Sequence, residues 1–311
     1  MPMINKKYLS EGLRIFVGLV FVASAILKYI SIDIFDLYVF EHELFSISIT
    51  ETLTRLLVAA ELTLGILLIS NIHTRFAYYC VIFFLSGFTL YLFLLPYLFE
   101  VDTVNCQCFG NALVLSRGES IAKNLILLLC LVFVSPKCFT IKKWHKWFMI
   151  VSGIALFIAF MVINAPNYLY TIVHKDKIQI DVPVYESALG NSGNEAKFTD
   201  GKQIICFYSV RCKFCQRAAQ KLHLILKRHQ LSEDQVKVVF LSSTPDSLIA
   251  LFFYNQKIPP IEYTTFRVDT FLRITSGSMP VLLFSDNGTI VQKANYVTLN
   301  EKEVVEFFRN E

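Results

Sequence analysis

The sequence predicts a multi-pass α-helical membrane bundle followed by a small α/β domain. Three observations predict it. The chain is 54% hydrophobic, with 28 phenylalanines and only 17% charged residues, which is too apolar for one soluble domain of 311 residues. That apolarity is uneven: up to about residue 165 the chain is a series of long Leu/Ile/Val/Phe runs, and beyond it the composition is that of a soluble domain. In the last third, short apolar runs alternate with amphipathic segments, the pattern of strands and helices in turn. The expected division is a four-helix membrane domain over 1–140, a fifth transmembrane helix and linker over 141–180, and the α/β domain over 181–311. A net charge of +4, with its basic residues near helix ends, offers no stripe for nucleic acid.

A bilayer crossing takes roughly 20 mostly apolar residues. Five stretches qualify, at about 11–30, 52–70, 74–99, 119–136 and 147–165. The first has the basic start and Ala-Ser-Ala sequence of a signal peptide, but its apolar character continues through Ile26 and Ile30, so it reads as a retained helix. Lys6 and Lys7, Arg75, and Lys137, Lys142, Lys143 and Lys146 mark the cytoplasmic ends. The 31–51 connection carries Asp33, Asp36, Glu41, Glu43 and Glu51 and no Lys or Arg. Trp144 and Trp147 suit the inner interface, Tyr168 and Tyr170 the outer one. The expected setting is a bacterial cytoplasmic membrane with the N-terminus inside. The 100–118 connection and everything after 165 then face an oxidising compartment.

In the C-terminal part, "QIICFYSV" (203–210) reads as a buried strand. A helix over roughly 213–230 follows, then the strand "VKVVFLSS", the helix "PDSLIALFFYNQ" and the short strand "YTTFRVD". Asp286-Asn287-Gly288 predicts a tight hairpin between two further strands, and Asn300 caps a closing helix.

Eight cysteines are present, and four fall in close pairs: Cys106 with Cys108, and Cys212 with Cys215. A Cys-X-X-Cys motif between a strand and a helix has a clear mechanism. The helix N-terminal N–H groups and dipole stabilise a thiolate on the first cysteine, and the second resolves the mixed disulfide. Arg211, Lys213 and Arg217 add positive charge there. The alternative is half of a zinc site, but no second Cys-X-X-Cys or His pair follows in this domain.

Residues 180–311 resemble the thioredoxin fold in the strand–Cys-X-X-Cys–helix unit, the "SMP" before the hairpin and the final helix. The resemblance implies that Pro280 is the cis-proline facing the active cysteines, with Met279 beside it. Two departures stand out: the usual tryptophan before the first cysteine is Arg211, and the usual buried acid matches Cys206. Cys206 is either a small core residue or a third redox thiol, and without the acid the deprotonation of Cys215 falls to a partner's surface.

The first half resembles MauE, of the DoxX-like group of four-helix membrane proteins. The matching pieces are "SAILKYI" (Ser24, Lys28), "ELTLGILL" (Glu61, Gly65), "GFTLYLF" (Phe88, Thr89), the "CQCFG" loop and "KNL" (Lys123, Asn124), in that order over 11–136. The resemblance implies a role in methylamine utilisation, in forming the disulfides of the methylamine dehydrogenase small subunit. DoxX relatives imply quinone-coupled sulfur oxidation. A thioredoxin-like domain lies outside the minimal MauE pattern, so the substrate does not carry over with it.

Physically, a Cys-X-Cys disulfide closes a small strained ring and is a ready electron acceptor, with Gly110 allowing the turn. The alternative is a pair of loop-packing cysteines. Charged residues inside spans are functional hypotheses by default. Lys28, Arg55 and Lys123 lie near the outer ends of their spans, where they either snorkel or line a polar pocket beneath the CQCFG loop; Glu61 lies deeper. In the pocket reading, Lys123 or Arg55 stabilises a thiolate and Glu61 carries protons or polarises a quinone, with Asn124 in support. Gly65 permits close helix contact. Cys80, Cys130 and Cys138 read as small hydrophobes, or else as an inner thiol route.

The expected function is a membrane thiol–disulfide oxidoreductase. Its Cys-X-X-Cys domain exchanges with the Cys-X-Cys pair, forming disulfides in exported client proteins with a membrane quinone as electron acceptor. One rival is an outward electron-delivering reductase of the cytochrome-maturation type, which needs Cys80, Cys130 or Cys138. Another is a membrane scaffold or transporter with a redox-sensing domain.

Overall fold

The computed structural model of the chain describes residues 6–71, 74–98, 115–134, 143–174, 180–191 and 200–309. Cys106, Cys108 and Gly110 of the CQCFG stretch lie outside these residues, as does Cys138 with Lys137 and Lys142. The chain forms two compact units, one of Met1–Phe45 with Ile49–Ala165, the other of Ser46–Ser48 with Pro166–Glu311.

The first unit is all helix: α1 (Lys6–Ile30), α2 (Ile32–Phe40), α3 (Ile47–Ser70), α4 (Thr74–Leu98), α5 (Arg117–Val132) and α6 (Lys143–Ile163). Among the described residues, three helical stretches are long and apolar enough to cross a bilayer: Tyr8–Ile30, Ile47–Ser70 and Arg75–Tyr97. The apolar stretch Ile150–Ile163 of α6 is shorter, and α5 has 16 residues. Together they make a multi-pass membrane region. Its main core joins Val17 and Phe21 of α1, Leu64 and Leu68 of α3, Val81 and Leu85 of α4, and Leu127 and Leu131 of α5.

α1 and α3 pack closely at paired glycines. A Cβ on Gly65 would stand 2.9 Å from the Gly18 carbonyl oxygen, and one on Gly18 2.8 Å from Ile69 Cγ1. Only a bare Cα lets the backbones approach that far. The Arg14 guanidinium fastens the same pair, donating to the carbonyls of Leu68 and Ile69.

The acidic 31–51 connection, expected as a loop, contains α2. Ile32, Phe35, Leu37 and Phe40 turn a buried face inward, while Asp36, buried with them, is paired with Arg55. The expectation followed the acids and missed the helical spacing between them.

The second unit opens with α7 (Asn167–His174), inside the expected linker, and α8 (Val182–Asn191), at the start of the expected α/β domain. α8 belongs to the fold: Tyr185 is 1% exposed in the core, edge-on to Phe207, and the Asp181 N–H donates to the Ile274 carbonyl. Then come β1 (Lys202–Phe207), α9 (Lys213–His229), β2 (Val236–Leu241), α10 (Asp246–Asn255), β3 (Tyr263–Phe266), α11 (Val268–Ile274), β4 (Val281–Asp286), β5 (Thr289–Ala294) and α12 (Glu301–Arg309).

The sheet order is β3-β2-β1-β4-β5, with β1, β2 and β3 mutually parallel and β4 antiparallel to both of its neighbours, β1 and β5. One face packs Ile205, Phe207, Val239, Phe271 and Leu283 with Tyr185. Alternation along the strands turns Ile204, Cys206 and Val238 to the other face, toward α9. The β4–β5 hairpin turns through Asn287 (φ 47°) and Gly288 (φ 81°), two consecutive left-handed residues, as the Asp-Asn-Gly sequence predicts. Asn300 caps α12 by accepting from the Lys302 N–H at 2.9 Å.

Candidate functional site

The chain leaves β1 at Phe207 and reaches α9 through five residues, so the sheet's parallel core aims the N-terminus of α9 at the end of β1. Cys212 is the N-cap of α9, and its Sγ accepts the Cys215 N–H at 3.4 Å. Around it, Cys212 N–H donates to Ser209 O at 3.0 Å and Gln216 Nε2 to Val210 O at 2.8 Å. These bonds close the turn and leave the Cys212 sulfur at the N-terminus of α9, on the backbone N–H of its first turn. Arg211 and Lys213 flank it, and Arg217 stacks on the exposed Phe214 ring at 5.5 Å.

Cys212 is partly accessible and Cys215 is fully buried, the arrangement of an attacking and a resolving thiol. Burial holds the Cys215 thiol well above its usual range. Cys206 and Tyr208 lie in the same pocket of the core, 0% and 2% exposed. Burial pushes Cys206 up to about 12, and holds the Tyr208 phenol well above its ordinary value, with Cys206 and Cys215 adding to the effect. Tyr208 is a neighbour of both thiols that the sequence reading did not single out; its place two residues after Cys206, on the same side of the strand, was the available signal.

The Met279–Pro280 bond is cis, and Pro280 is buried. Val281 pairs with Phe207, so Pro280 enters the sheet at the end of β1 from which the Cys-X-X-Cys turn departs.

The membrane unit holds a second polar cluster. Glu61 of α3 accepts the Ser24 hydroxyl on one carboxylate oxygen, at 2.8 Å, and the Lys28 ammonium on the other, at 2.7 Å. Lys28 also sits 5.7 Å from the Phe35 ring centre. These groups border a cavity of about 120 Å³ that Lys123 and Asn124 of α5 also line, with Phe21, Phe84 and Phe88 among its apolar walls. Five residues singled out in the sequence, Ser24, Lys28, Glu61, Lys123 and Asn124, thus surround one space.

Arg55 is not among them, contrary to expectation. Its guanidinium is 1% exposed and donates to Asp36 Oδ2 at 3.0 Å, Glu51 O at 2.6 Å and Asn164 O at 2.9 Å, while Thr54 donates to the same Asp36. A carboxylate hidden in α2 captures it, and α6 is fastened by the same residue.

Cys80 and Cys130 are free thiols packed against the main apolar core of the bundle. Cys206 is likewise a free, buried thiol. Among the described residues, no group of three or more His, Cys, Asp or Glu side chains is placed to hold a metal ion.

Residues 6–136 match the family of methylamine utilisation protein MauE. The MauE-like region covers α1 to α5 and is followed by the thioredoxin-like domain, whose assignment rests on the strand order, the position of Cys-X-X-Cys and the cis-proline before β4. A similar protein, Protein TlpB of Flavobacterium psychrophilum, is 24% identical over 304 residues, covering 81% of this chain and 82% of that protein.

Solved structures similar to the C-terminal part include the thioredoxin domain of a thiol-disulfide oxidoreductase from Bacteroides vulgatus. It is 14% identical with a TM-score of 0.29, covering 37% of this chain and 84% of that one. Another is a secreted Mycobacterium tuberculosis disulfide oxidoreductase homologous to E. coli DsbE, 13% identical with a TM-score of 0.29, covering 36% and 83%. A third is StoA from Bacillus subtilis, 15% identical with a TM-score of 0.28, covering 35% and 83%. The chain is a multi-pass membrane protein with a thioredoxin-like α/β domain beyond its MauE-like region.

Proposed function

We propose that the protein forms disulfides in exported client proteins from the bacterial cytoplasmic membrane, with its N-terminus inside and the thioredoxin-like domain outside. The observation that carries this reading is Cys212 at the N-cap of α9, its sulfur on the Cys215 N–H, with Cys215 buried one turn in. A client thiolate attacks the Cys212–Cys215 disulfide at Cys212. The client's second thiol then releases its own disulfide and leaves a Cys212/Cys215 dithiol. That dithiol passes two electrons and two protons to a Cys106–Cys108 disulfide, and the Cys106/Cys108 dithiol passes them to a membrane quinone, which becomes a hydroquinone. Carrying both pairs on one chain raises their effective concentration to about the millimolar range. Cys80 and Cys130 support this direction over outward electron delivery, because both sit among apolar side chains as small hydrophobes do.

Trapping tests the exchange. With Cys215 or Cys108 replaced by serine, non-reducing electrophoresis and mass spectrometry should reveal a mixed disulfide between Cys212 and the Cys106/Cys108 pair. Direction is read separately: purified protein given a dithiol should reduce a soluble quinone analogue, and should keep doing so with Cys80, Cys130 and Cys138 all changed to serine. No trapped species in either variant would sink the relay, and loss of quinone reduction in the triple variant would reverse its direction.

A further inference from the structure

A polar atom in the cavity wall of the membrane unit has no partner among the described residues. Asn124 is 1% exposed in the cavity wall. Its Nδ2 donates to Thr89 Oγ1 at 3.1 Å, and the Thr89 hydroxyl itself donates to the Leu85 carbonyl at 2.6 Å. Thr89 therefore has only lone pairs to offer Asn124, which fixes the amide: turning it over would set oxygen against oxygen. Asn124 Oδ1 is left as a buried acceptor with no hydrogen-bond partner among the described residues. Such an atom is destabilising unless a donor reaches it.

The space beside it suits one kind of molecule. About 120 Å³, with Phe21, Phe84 and Phe88 in its walls, is the scale of a single six-membered ring. Engineered apolar cavities of roughly 150 Å³ take up benzene. Of the other polar groups on the cavity, Glu61 already accepts Ser24 on one oxygen and Lys28 on the other, and the Lys28 and Lys123 ammonium groups donate and cannot accept. A ring that satisfies both ends must carry a hydroxyl to donate and an oxygen to accept. A quinone has only acceptor oxygens; a hydroquinone has both functions.

We infer that this cavity binds the hydroquinone form of a quinone in preference to the oxidised form, with Asn124 Oδ1 accepting a ring hydroxyl and Lys28 donating to a ring oxygen. The inference rests on the quinone-linked reading above and deepens it. Tighter binding of the reduced ring makes the bound quinone a stronger oxidant, which favours electron flow from thiols to ring.

The test uses full-length protein in detergent, titrated anaerobically with a short-chain hydroquinone and, separately, with its quinone. The wild-type protein should bind the hydroquinone on the order of tenfold more tightly, the worth of about one buried hydrogen bond. Asn124→Leu should abolish the preference by weakening hydroquinone binding alone. Thr89→Val removes the acceptor that holds Nδ2, frees the amide to turn its N–H to the cavity, and should shift the preference toward quinone. A purely structural role for Asn124 produces no such reversal. Equal affinities in the wild-type protein, a preference that survives Asn124→Leu, or binding of neither ring would overturn the inference. Client disulfide formation through Cys212, driven by a soluble oxidant, is scored in parallel. If it persists while ring selectivity fails, only the inference falls; if selectivity holds while it fails, the proposed function falls.

Discussion

Lys28 and Glu61 meet between α1 and α3, Nζ to Oε2 at 2.7 Å, with side chains only 13% and 16% exposed. The Ser24 hydroxyl takes the other carboxylate oxygen. Such a pair is held together less by mutual attraction than by the penalty for stranding either member. Glu61→Leu should therefore destabilise the membrane unit by about 3 kcal/mol, and adding Lys28→Met should recover most of that loss. Thermal unfolding of the wild-type protein, both single variants and the double variant in one detergent measures the coupling. Additive losses would show that the two side chains act independently.

The close approach of α1 and α3 depends on Gly18 and Gly65. Gly65→Val should cost at least about 1–3 kcal/mol, because the new atoms meet the Gly18 carbonyl and Val22 rather than open space. Gly87→Ala makes a control in the same unit, since a Cβ there meets nothing within 4 Å. Equal melting temperatures for the two variants would remove the glycine contact from the account.

Arg55 should behave as a fastener of α2, α3 and α6 rather than as a redox group. Arg55→Leu leaves Asp36 buried alone and should destabilise by about 3–5 kcal/mol, with Asp36→Leu in the same chain restoring much of it. Below the melting temperature, thiol oxidation per folded molecule should be unchanged in the double variant, whereas Cys212→Ala should abolish it.

The C-terminal unit should lose stability in alkali. Cys206 is held near 12 in the folded chain against an ordinary thiol value of 9.0. Between those values the unfolded chain has released a proton that the folded chain keeps, so stability falls as pH rises, by up to about 1.4 kcal/mol per pH unit for this group. Cys215 and Tyr208, shifted in the same direction, add to the slope. Cys206→Val should flatten the decline without removing it. Melting temperatures of full-length protein from pH 8 upward test this, and an unchanged slope in the variant would refute it.

Much of the architecture is legible in the sequence because its signals are local. Long apolar runs announce α1, α3 and α4, Asp-Asn-Gly fixes the β4–β5 turn, and Cys-X-X-Cys after an apolar run marks the start of α9. Ser24 and Lys28 lie four residues apart, so their shared helix face is visible as well. What escaped the sequence depends on pairing across the fold. Asp36 reads as one acid among several until Arg55 is seen beside it, and α2 is then a helix rather than an acidic loop. The direction of the Asn124 amide depends on Thr89, 35 residues away, and on the bond Thr89 already makes to Leu85. α8 goes unseen within the expected α/β domain because the reason for its helix, Tyr185 against Phe207, is on another element.

Cys215 carries one more consequence. It is fully buried, its neighbours include a thiol and a phenol, and among the described residues no carboxylate faces it. A domain built this way holds its second thiol in reserve. In the proposed cycle, any protein joined to Cys212 stays attached for a time set by its own departing sulfur and by whatever base it brings with it. The domain would then sort its clients by dwell time: those that supply the missing proton acceptor are let go quickly, and those that do not are kept.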